Sequence, residues 1–87
     1  MAGQSTAAKR HAQSEKRRIR NRAVRSRVRT GVRRFLAAVD TENRDAAAGE
    51  LRTVTKLLDT AAGKGVYHKN TVARTKSRLA ARLNAMK

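Results

Sequence analysis

Arg18, Arg22, Arg25, Arg29 and Arg33 recur at intervals of three and four residues, and Arg20, Arg27 and Arg34 recur at intervals of seven. A guanidinium is permanently charged, and its planar fork of N–H donors can grip two oxygens of one oxyanion. The chemistry on offer is therefore non-covalent capture of anionic oxygen, repeated in series. Lys9, Arg10, Lys16 and Arg17 extend it towards the N-terminus. A second group lies near Lys64, His68, Lys69 and Asn70, and Arg74, Arg78 and Arg82 follow at intervals of four, with Lys76 among them. Little else is reactive. His11 stands four residues before Glu15, and His68 lies between Tyr67 and Lys69. Two isolated histidines among cations do not supply the three or four converging ligands that a metal needs. There is no cysteine, no Ser/His/Asp set and no Gly-rich phosphate loop with its following Lys. The residues predict no enzyme, no metal and no cofactor.

Arginine on a helix is ordinarily solvated surface, but such a face mixes signs. Here residues 1–34 hold twelve Lys and Arg against one acid, Glu15. Residues 35–63 hold three against five acids, and residues 64–87 hold seven against none. The chain as a whole carries a net charge of +16 over 87 residues. So large an excess opposes compaction and calls for a polyanionic partner. The two outer blocks carry that excess, and the middle block is an ordinary solvated helix.

Something must position these cations. The length predicts one small domain spanning residues 1–87. There is no proline, which suits long helices. In the middle block Ala47, Leu51, Val54, Leu58 and Ala61 follow a 4-3-4-3 spacing, one apolar helical stripe. Asn43 is a plausible N-cap, Asp45 suits the first turn, and Gly63 to Gly65 mark the end, which predicts a helix near residues 44–62. Val72, Lys76, Leu79, Leu83 and Met86 repeat the spacing and predict a helix over about 68–86. In the first block Val24, Val28, Val32, Phe35 and Val39 share about a quarter of a helix circumference, with arginines on both shoulders. Gly31 lies inside this helix, where close approach of a neighbour is one reading.

Before Val24 that stripe stops. Ala8, Ala12, Ile19 and Ala23 lie on roughly the opposite side. A first helix starting near residue 6 therefore overhangs its partners. Residues 1–20 form a basic extension expected to be frayed or disordered in the free protein and helical once phosphates neutralise it. Three amphipathic helices with short connections predict an all-α, antiparallel three-helix bundle with a long, overhanging basic N-terminal helix.

The polyanion is the next question. Membrane-surface helices set bulky Leu, Phe or Trp opposite their charge, whereas this apolar face is Val and Ala, and no apolar run approaches spanning length. Only Phe35 and Tyr67 are aromatic, too few for a stacking platform on single strands. A DNA-compacting, nucleoid-type protein remains a rival reading. Long helices with arginine on several sides suit insertion among several phosphate backbones, and folded RNA supplies that geometry.

Ser14 to Lys16, Arg25-Ser26, Arg29-Thr30 and above all KGVYHKNTVARTKSRL at Lys64–Leu79 are similar to the family of bacterial small-subunit ribosomal protein number twenty. Its pattern is Lys-Gly-x-x-His-Lys-Asn, followed by Ala73-Arg74 and Lys76. Valines and Gly31 in the first helix, and Arg in preference to Lys, depart from the family's usual residues. The resemblance covers essentially the whole chain. It implies a cytoplasmic, non-enzymatic constituent of the small ribosomal subunit that binds 16S ribosomal RNA directly, supports assembly, and has few or no protein partners and no membrane. It also implies an RNA-facing corner at Lys64-Gly65 and His68-Lys69-Asn70, with Asn70 open to a second reading as a helix cap alone.

Overall fold

The computed structural model describes the backbone of residues 2–86 and the side chains of residues 8–86. Its elements are α1 (Ala2–Asp40), α2 (Arg44–Gly63) and α3 (Lys69–Asn84), with no strand among the described residues. The expected all-α bundle is present. α2 is its centre: it packs against α1 on one side and α3 on the other, and α1 and α3 touch only slightly. α1 has 39 residues, about 58 Å at 1.5 Å per residue, and the molecule measures 66 × 21 × 13 Å. α2 has 20 residues and is near 30 Å long. α1 therefore projects well past the bundle. It begins at Ala2, not near residue 6 as the sequence led us to expect, because no proline or turn sequence interrupts it on the way. Met1, Lys87 and the side chains of residues 2–7, part of the basic extension, lie outside the described residues.

The valine stripe is the seam. Val24, Val28 and Phe35 are buried on α1, and Ala47, Val54, Leu58 and Ala61 on α2. Val32, Val39, Leu51 and Leu57 pack at its edges. Gly31 is buried in the same stripe. A Cβ there would lie 3.0 Å from Val54 Cγ2 and 3.2 Å from Leu57 Cδ1. The missing side chain is what lets the two helices come so close.

Both connections are closed by the same device. At the end of α1 the Asn43 N–H donates to Ala38 O at 3.1 Å and the Glu42 N–H to Val39 O at 3.0 Å. At the end of α2 the Val66 N–H donates to Ala61 O at 2.9 Å and the Gly65 N–H to Ala62 O at 3.1 Å. These paired bonds are Schellman motifs, which need one residue in the left-handed region. Gly65 takes it at φ 76°, as its lack of Cβ favours, but in the first turn Glu42 takes it at φ 58°. Asn43 then serves twice, because its side chain also accepts from the Ala46 N–H at 3.1 Å and caps α2.

α3 buries Val72 and Leu79 against the core, and Val66 is buried in the turn before it. The helix stops at Asn84, and Met86 packs from beyond its end.

Candidate nucleic-acid interface

Seam and ridges are two sides of one helix, so burying the valines fixes where the arginines stand. Arg18, Arg22, Arg25, Arg29 and Arg33 are all exposed along one flank of α1, and Arg20, Arg27 and Arg34 along the other. Lys9, Arg10, Lys16 and Arg17 are exposed on the projecting part, where none of the described side chains is buried. Ile19 stands there 65% exposed. Arg74, Arg78 and Arg82 are exposed on α3. The ridges of α1 and α3 are thus carried by two helices that share one core with α2.

Few of these cations are neutralised within the chain. Among the described residues there are two ion pairs. Arg18 Nη2 meets Glu15 Oε2 at 2.7 Å, a solvent-exposed pair one helical turn apart that holds little energy. Lys76 Nζ meets Asp59 Oδ1 at 2.9 Å. Lys76 is half-buried on the seam, and its ammonium reaches an acid of α2 where the sequence suggested an outward cation for RNA. It ties α3 to α2. Asp59 lies 17 residues earlier, on another helix, so no local spacing in the sequence signals the pairing.

The corner after α2 is also built differently from the simplest reading. His68 is the N-cap of α3, its Nδ1 accepting from the Asn70 N–H at 3.1 Å. Asn70 lies inside the helix with an exposed side chain and is not the cap. An accepting Nδ1 leaves His68 with its proton on Nε2, a single donor on an exposed ring. Lys64, Lys69 and Asn70 are exposed around it. Lys64 to Asn70 form one cationic corner because the Schellman turn at Gly65 reverses the chain within a few residues.

No group of three or more His, Asp or Glu that could hold a metal occurs among the described residues. None of the described helices is long and apolar enough to cross a membrane. The interface is a set of exposed cations on a helical frame, suited to binding oxyanions in several directions.

Comparison with known proteins agrees with this picture. The chain matches the family described as Ribosomal protein S20 over residues 2–84. It is 45% identical over 86 residues to the small ribosomal subunit protein bS20 of Corynebacterium glutamicum (strain R), covering 99% of each chain. It is 48% identical to bS20 of Acidithiobacillus ferrooxidans (strain ATCC 53993 / BNL-5-31), covering 99% of this chain and 94% of the relative. To bS20 of Corynebacterium urealyticum it is 51% identical over 70 residues, 80% of each. A match over nearly the whole length, with the Lys64–Lys76 motif at the cationic corner, means that the chain belongs to the S20 family of structural, non-enzymatic proteins of the small ribosomal subunit, a particle of the bacterial cytoplasm.

Proposed function

We propose that the chain binds 16S ribosomal RNA directly and holds separate RNA segments together during assembly of the small subunit. The observation that supports this most is the exposed, largely unpaired run of arginine on both flanks of α1. Arg18, Arg22, Arg25, Arg29 and Arg33 grip phosphates on one side, and Arg20 and Arg27 on the other. Lys9, Arg10, Lys16 and Arg17 extend the grip along the projection. Arg74 and Arg78 add contacts from α3, and the corner of Lys64, His68, Lys69 and Asn70 engages RNA at the end of the bundle from which α1 projects. Lys76, beside the exposed Asp59, adds a further cation on α3. Recognition is through the shape of the folded RNA, with little reading of bases. RNA supplies the counter-charge, and few or no protein partners are required.

Among the described residues, the projecting part of α1 buries no side chain, and its cations repel one another. It is frayed in the free protein and becomes a stable helix between phosphates. The test is the affinity of the full chain for folded 16S ribosomal RNA, duplex DNA and anionic vesicles at one salt concentration. Preference for the folded RNA is the expected result. Equal or tighter binding to duplex DNA would favour a DNA-compacting protein, and preference for vesicles a membrane-surface one.

A further inference from the structure

One groove of the bundle holds more than cations. It runs along the α1–α2 seam beside Gly31 and is lined by Ser26, Arg27, Thr30 and Arg34 from α1, with Glu50 and Thr53 from α2. Its position follows from the packing. Gly31 draws α2 in until a Cβ would touch Val54 and Leu57, and that brings polar residues of α2 beside the arginines of one flank. Arg27 and Arg34 are seven residues apart, about 10 Å along the axis. Neither makes an ion pair among the described residues, although Glu50 lines the same groove. Glu50 is half-buried. Thr53 already donates its hydroxyl to Gly49 O at 3.3 Å, so it too can only accept. The groove thus has guanidinium donors spaced along one wall and acceptors on the other.

A row of phosphates alone does not fit this arrangement, since a carboxylate facing phosphate repels it. A ribose between two phosphates does fit. Its 2′-hydroxyl is a hydrogen-bond donor that DNA lacks, and a carboxylate is the strongest acceptor a protein can offer it. Resting on the RNA-binding reading above, we propose that this groove binds one ribose-phosphate segment, with Arg27 and Arg34 on the flanking phosphates and Glu50 accepting from the 2′-hydroxyl. The acidic middle helix then contributes to choosing RNA over DNA.

The proposal inverts a sign, which makes it testable. Removing an acid from a protein of net charge +16 should by general electrostatics leave RNA binding unchanged or tighten it. Glu50→Ala is expected instead to weaken binding to folded 16S ribosomal RNA about tenfold, the size of one hydrogen bond to a charged group. It should leave binding to duplex DNA the same or tighter. Glu50→Gln, whose amide oxygen still accepts, should keep RNA affinity within about threefold of wild type. Circular dichroism of each full-length variant checks that helix content is unchanged. If wild type binds the RNA and Glu50→Ala binds it as well or better, the ribose contact is wrong while the RNA-binding reading stands. If wild type shows no preference for folded RNA, it is that reading that falls, and the groove with it.

Discussion

Between Ala2 and Ala23, α1 carries seven Lys and Arg and buries none of its described side chains. Between Val24 and Asp40 it carries five and buries Val24, Val28, Gly31 and Phe35. Charge density is similar in the two segments. What separates them is whether apolar residues recur on the face turned to α2. Val24, Val28 and Phe35 do, and their burial, at about 25 cal/mol per Å² of apolar surface, offsets the repulsion among Arg25, Arg27, Arg29, Arg33 and Arg34. Ile19, Ala8 and Ala12 lie on another side and are exposed. The same kind of basic helix can thus be a structural element or an arm awaiting a counter-charge, and a few valines decide which.

The strongest way to break the contrast is to remove the seam. Phe35 is fully buried, so Phe35→Ala should cost about 3–5 kcal/mol and unfold so small a protein. Ile19→Ala, made in the exposed segment, should shift the melting temperature by no more than a degree or two. Thermal melts of both would show it, and comparable losses from the two would mean that the projection is packed after all.

The arginine ridge crosses the boundary between the segments, so it tests whether both bind. Replacing Arg18, Arg22, Arg25 and Arg29 together with Gln should leave helix content intact, since Gln is nearly as good a helix former as Arg. The slope of log affinity for 16S ribosomal RNA against log salt should flatten by about four units, one per phosphate contact. Arg44→Gln with Arg52→Gln, on the acidic helix, should change it little. A wild-type slope in the quadruple variant would remove the ridge from the interface.

Hydrogen exchange sharpens the comparison without mutation. In the free protein, amides of residues 8–20 should exchange quickly while those of Leu51, Val54, Leu58 and Leu79 are protected. Uniform protection along α1 would mean that the projection holds its own helix.

Smaller effects are expected at the glycines. Gly31→Ala gains about 1 kcal/mol of helix propensity. It must, however, push on Val54, a fully buried β-branched side chain with one preferred rotamer. Overpacking of this kind costs about 1–3 kcal/mol, so a net loss near 1 kcal/mol is predicted. Gly49 has nothing within 4 Å of its would-be Cβ, and Gly49→Ala should stabilise by about 1 kcal/mol. Urea titrations showing equal shifts at the two sites would deny the close approach. Finally, Glu42→Gly should stabilise by about 1 kcal/mol, by relieving a left-handed non-glycine residue.

How far these features could be read in advance depended on their range. The three stripes, the cap at Asn43 and the glycine closing α2 were legible, because helix periodicity and capping act over a few residues. Gly31 was legible as an oddity, but its cause was not, since Val54 and Leu57 come from another helix. The left-handed Glu42 carries no local signature, and its conformation is imposed by the turn that Asn43 closes. Asn70 invited the reading of a cap because Asn is a common one, yet the cap is His68, two residues earlier, which accepts from the N–H of Asn70 itself. Lys76 was visible on the seam and its partner was not. The exposed cations were fully legible as a class, while the groove at Glu50 depended on how closely α1 and α2 approach.

Because α2 lies between its neighbours and the chain's two end helices scarcely meet, nearly every tertiary contact joins elements adjacent in sequence. Forming them requires closing only the short turns at residues 41–43 and 64–68. Loop-closure entropy is then small, and chains with such local contacts fold in microseconds to milliseconds. Most of the buried core, from Val24 to Ala61, lies on α1 and α2, so their hairpin is the local unit onto which the third helix docks.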